Sequence, residues 1–117
     1  MQERRRSARV RSYLPVRLTP QGGRPVIETL TKDVGLGGVK CLSPVSLPVS
    51  SVVSLELTLG FGDEPLQALA KTSWFQIIPQ SDQFCVGLSF QDLSEETTQR
   101  LSRYLDQTSL QPTQAVL

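Results

Sequence analysis

The 117-residue chain has no histidine, only two cysteines, and few aromatic residues, 6% of the total. Without histidine there is no Ser-His-Asp or Cys-His nucleophilic centre and no imidazole-bound zinc. Cys41 and Cys85 lie far apart with no C-x-x-C spacing, and two thiolates cannot complete an all-cysteine zinc site. No metal site is expected, and no catalytic residues. Glu95 and Glu96 are adjacent at the start of a helical stretch, where they suit the helix dipole better than acid–base work. Long apolar runs are also missing. The most apolar region, 45–61, is broken by serines, Pro48 and Glu56, far short of the roughly 18 apolar residues that a membrane span needs. The opening MQERRRSARVRS is charged, but no apolar segment follows as in a secretory signal, so the cytoplasm is the expected compartment.

What the chain does have is unevenly placed charge. The formal net charge is +1, yet residues 1–24 hold seven arginines against Glu3 alone, a net of +6. The remaining residues carry five positive and ten negative charges, a net of −5. A basic arm on an acidic body points to a localised anion site rather than a uniformly basic surface. Arginine suits that role because its planar fork clamps phosphate or guanine with two hydrogen bonds and stacks on flat rings.

At this length one domain is expected. Its middle alternates at period two, the signature of half-buried strands. Predicted strands cover Val10–Leu18, Pro25–Lys32, Val39–Leu42, Ser51–Leu59, Leu66–Ile78 and Phe84–Phe90, with a glycine-dense turn over Asp33–Gly38. The period then changes. Ser94 is a good N-cap, and Thr97, Leu101, Tyr104 and Leu105 recur at helical spacing. Six short strands and a terminal helix predict a mostly β fold, a small antiparallel barrel with one C-terminal α-helix. Residues 1–9 read as a flexible Arg-rich arm, 10–107 as the barrel with its helix, and 108–117 as a frayed tail.

Two short motifs stand out. Arg5 and Arg9 form R-x-x-x-R just before the first strand, and Asp33-x-Gly35-x-x-Gly38 follows two strands later. Alone, a charge run is ordinarily a solvated face and a glycine turn is ordinarily a tight reversal. Together they resemble the PilZ domain, whose hallmarks are an RxxxR stretch and a [D/N]-x-S-x-x-G turn. Downstream, Ala70-Lys71-Thr72-Ser73-Trp74 is similar to the family's A-x-V-x-W strand, and Val86-Gly87-Leu88-Ser89-Phe90 to its V-G-(V/L)-x-F strand. Asp92–Glu96 and Leu101–Leu105 resemble the family's closing helix, so the likeness covers about residues 3–107.

The resemblance implies a split-barrel-type six-stranded antiparallel β-barrel and cyclic di-GMP as the ligand. By it, Arg5 and Arg9 contact guanine and phosphate, with Arg4 and Arg6 adding stacking or phosphate contacts. An Arg at the Arg4 position further implies an intercalated pair of ligand molecules. Asp33 would accept hydrogen bonds from guanine N1–H and the exocyclic amine, donors that suit a carboxylate. Gly35 and Gly38 would let the backbone approach the ligand. One departure weakens the match: the family's Ser is Gly35 here, a lost hydroxyl worth about 0.5–1.5 kcal/mol. Trp74 could stack on a base, but alternation places it with Leu66, Ala68 and Ala70, which favours the core.

The reading is therefore a receptor or adaptor that is not an enzyme. Cyclic di-GMP would order the arm and alter the surface offered to an unidentified downstream protein. Two alternatives stand beside it. One is a PilZ-type adaptor that does not bind cyclic di-GMP and acts only by protein contacts. The other is a small nucleic-acid-binding barrel, against which stand the acidic body and the lack of an aromatic platform.

Overall fold

Alternation in sequence becomes inside and outside in space. The computed structural model describes residues 9–22, 25–60 and 62–109. Seven strands precede one helix: β1 (Arg9–Arg11), β2 (Pro15–Pro20), β3 (Ile27–Gly35), β4 (Gly38–Ser43), β5 (Val52–Leu57), β6 (Leu66–Ile77), β7 (Phe84–Gln91) and α1 (Glu95–Ser109). In β2, Val16, Leu18 and Pro20 are buried while Pro15, Arg17 and Thr19 are exposed. In β5, Val53, Leu55 and Leu57 turn inward in the same way.

The antiparallel strands run β2-β5-β6-β7-β4-β3, and β3 pairs back onto β2 to close a six-stranded barrel. Closure leaves the ring without a free edge. Leu47, from the loop between β4 and β5, and Leu101 and Leu105 of α1 complete the core. Fully burying side chains of this size contributes about 1.5–3 kcal/mol each. Ser94 caps α1 as expected, its hydroxyl accepting the Thr97 N–H at 3.1 Å.

The predicted strand Val10–Leu18 is two strands. Both lie on one edge of β3: β1 opposite Asp33–Gly35, which places it outside the ring, and β2 opposite Ile27–Leu30. The break at Ser12–Leu14 faces an irregularity in β3 between Thr31 and Asp33. The Thr31 side chain stitches this gap. Its hydroxyl donates to the Ser12 carbonyl at 2.5 Å and accepts the Leu14 N–H at 2.9 Å.

The predicted turn over Asp33–Gly38 narrows to Leu36 and Gly37, because β3 runs on through Gly35 and β4 begins at Gly38. Among the described residues, the glycines at positive φ are Gly22 and Gly62, not those of this turn. Gly38 is needed for proximity instead. A Cβ there would meet the Leu88 carbonyl oxygen of β7 at 1.9 Å. No described helix is long and apolar enough to cross a membrane.

Candidate ligand-binding site

Two β-bulges build the site. Between Thr31 and Asp33 an extra residue, Lys32, enters β3, so that Thr31 opposes Cys41 while Asp33 opposes Lys40. Thr31 and Cys41 face the core, both 0% exposed. Strict alternation would send Asp33 inward with them; the bulge turns it to the outer surface. Between Thr72 and Trp74, Ser73 is the extra residue, with Thr72 opposite Leu88 and Trp74 opposite Gly87. Thr72 is buried, whereas Trp74 is 40% exposed. The expected core position of Trp74 is thus overturned: the bulge breaks the period that suggested it.

Opposed residues in an antiparallel ladder share a face. A row therefore crosses five strands on the outer surface: Arg11 of β1, Asp33 of β3, Lys40 of β4, Gly87 of β7 and Trp74 of β6. Asp33 is its hub. Arg9 donates to Asp33 Oδ1, through Nε at 3.1 Å and also through its terminal nitrogen. Lys40 Nζ lies 3.3 Å from Oδ2. The carboxylate is only 19% exposed between two cations that are themselves accessible.

At the other end of the row the indole lies across Gly87, where a Cβ would come within 2.3 Å of Trp74 Nε1. Ser73 and Ser89 share a hydrogen bond beside it. Arg9, Asp33, Gly38, Lys40, Trp74 and Gly87 line one open hollow of about 250 Å³, with an aromatic ring at one end and a bridged carboxylate at the other. Such a surface can stack a flat heterocycle on the indole and accept N–H donors at Asp33, while Arg9 and Lys40 offer charge to an anion. Among the described residues no group of three or more His, Cys, Asp or Glu is placed to hold a metal ion.

Of the residues predicted from sequence, Arg9, Asp33, Gly38 and Trp74 are brought together here. Gly35 lies opposite Arg9 in the β1–β3 ladder, so the position lacking a hydroxyl adjoins this arginine. Arg4 and Arg5, with Arg6, fall outside the described residues. Lys40, Ser73 and Ser89 were not predicted. Lys40 alternates outward between Val39 and Cys41, but its approach to Asp33 depends on the bulge.

The PilZ domain profile matches residues 3–107. The chain belongs to the PilZ family. Comparison with curated proteins finds no match. Among solved structures, the Bacillus subtilis inhibitor of motility MotI/DgrA superposes with a TM-score of 0.81 at 18% identity, over 95% of this chain and 53% of that one. This PilZ domain thus spans about half the length of that protein. The PilZ domain of YcgR from Escherichia coli, solved with c-di-GMP, gives 0.71 at 15% identity over 92% and 93% of the two chains. The PilZ domain of CeSA from a cellulose-synthesising bacterium gives 0.59 at 20% identity, covering 85% and 98%. At these identities the likeness is one of fold.

Proposed function

We propose that this PilZ domain is a cytoplasmic receptor for cyclic di-GMP that acts as an adaptor and performs no chemistry on its ligand. One observation carries the reading: the Asp33 carboxylate, bridged by Arg9 and Lys40, faces outward in a hollow floored by Gly87 and walled by Trp74. Membership in the family supports it, as does the fold shared with a YcgR domain solved with c-di-GMP.

The ligand has two guanines and two phosphates. Asp33 accepts N1–H and the exocyclic amine of one guanine, and Arg9 turns from Asp33 to the O6/N7 edge or to a phosphate. The energetics favour this exchange. An accessible ion pair such as Arg9–Asp33 is worth about 0–1 kcal/mol, whereas a bidentate arginine–guanine contact discriminates by roughly 1–3 kcal/mol. Trp74 stacks on a base, and Arg4 and Arg5 close over the ligand from the arm, with two intercalated molecules bound. Bridging arm to barrel changes the surface that a downstream protein meets.

Calorimetric titration of cyclic di-GMP tests this. Wild type is expected to bind with two ligands per chain, and Arg5→Ala or Arg9→Ala to weaken binding at least tenfold. Amide exchange in residues 3–12 should slow at saturation. A second reading, an adaptor blind to the ligand, is favoured by Gly35, which offers no hydroxyl beside Arg9. Absence of wild-type binding would favour it over the receptor.

A further inference from the structure

The Arg9–Asp33–Lys40 ridge has a second flank. Behind it lies another open hollow, about 430 Å³, lined by Arg9, Arg11, Tyr13, Lys32, Asp33 and Lys40. It contains four cations and one carboxylate. Asp33 is already engaged by Arg9 and Lys40, and Arg11 and Lys32 have no ion-pair partner among the described residues. Lys32 reaches this place because it is the extra residue of the bulge that turns Asp33 outward. Its backbone is held there, its carbonyl accepting the Ser12 N–H at 3.1 Å. Tyr13, 63% exposed in the break between β1 and β2, presents a ring and a hydroxyl to the same hollow.

A solvated basic face would spread these charges apart. Here they converge on one concavity, where like charges repel one another and a bound anion relieves that repulsion. The geometry points to a phosphate subsite formed by Arg11, Lys32 and Lys40, with Tyr13 as a further hydroxyl donor. Resting on the proposed function, it makes Lys40 the divide between two flanks. The Trp74 flank takes a base, and the Arg11–Lys32 flank takes a phosphodiester of the same ligand. Arg11, Lys32 and Tyr13 lie outside the two motifs that suggested the ligand. They would discriminate a phosphate-bearing guanine compound from a bare nucleoside.

Inorganic pyrophosphate probes the subsite without relying on guanine recognition. In an amide-resolved NMR titration, wild type is expected to show saturable shifts centred on Arg11, Tyr13, Lys32 and Lys40. Lys32→Ala and Arg11→Ala, checked as folded from the same spectra, should each weaken binding at least fivefold. Unsaturable or scattered shifts, or affinity unchanged in both variants, would overturn the subsite. A parallel titration with cyclic di-GMP separates the two claims. If pyrophosphate saturates the hollow but cyclic di-GMP does not bind, the subsite stands and the receptor reading fails. If cyclic di-GMP binds wild type and Lys32→Ala equally, the receptor reading stands and the subsite fails.

Discussion

Glycine does two different jobs within two adjacent positions. Nothing lies within 4 Å of a Cβ built on Gly37, whereas one on Gly38 would overlap the Leu88 carbonyl of β7. Gly37→Ala should therefore leave the urea midpoint nearly unchanged. Gly38→Ala has to push two paired strands apart and is expected to cost about 1–3 kcal/mol or more, by the usual magnitude of overpacking. Gly87 differs again, because the atoms a Cβ would meet belong to the Trp74 side chain. Gly87→Ala should move the indole rather than unfold the barrel. As Trp74 is the sole tryptophan, its emission reads that displacement directly. Burial, with a smaller contribution from Cys85, pushes the Cys41 thiol from 9.0 up to about 12. The unfolded chain therefore releases this proton near pH 9 while the folded chain keeps it, so stability falls as pH rises from about 9 to 12. At pH 8, alkylation of Cys41 should require unfolding, which mass mapping of labelled peptides would show.

At the scale of elements, the six barrel strands and the helix were legible because one face of each is buried and the period follows from that. What alternation could not show was where it breaks. Bulges at Lys32 and Ser73 add one residue on one strand only, so they are visible through the partner strand and not along the chain. For that reason Asp33 reads as a turn residue and Trp74 as core, and the link from Asp33 to Lys40 was hidden. The RxxxR and D-x-G-x-x-G motifs did mark Arg9 and Asp33, whose contact the structure then supplies. The same limitation concealed the break between β1 and β2. Thr31→Val would leave the Ser12 carbonyl and the Leu14 N–H without their side-chain partner, at about 1–3 kcal/mol. Denaturation should show this loss, and amide exchange should accelerate first at Leu14. β1 is also tied to α1 through the Ser12 and Tyr104 hydroxyls. Tyr104→Phe should raise exchange in β1 while leaving β5 and β6 unchanged.

On the scale of the whole molecule, a net charge of +1 conceals a division of labour. The acidic body closes into a barrel, and its outer wall places the Asp33 carboxylate and the Trp74 indole in one hollow with Arg9 of β1. The proposed ligand, a guanine-bearing cyclic dinucleotide, would sit across Asp33 and Trp74. The emission of Trp74 during titration with cyclic di-GMP tests it most directly. A saturable change is expected in wild type, lost in Asp33→Ala and not reproduced by cyclic di-AMP, whose adenines have neither the N1–H nor the 2-amino group that Asp33 would accept. Emission that stays constant through millimolar cyclic di-GMP, or that changes equally in Asp33→Ala, would contradict it.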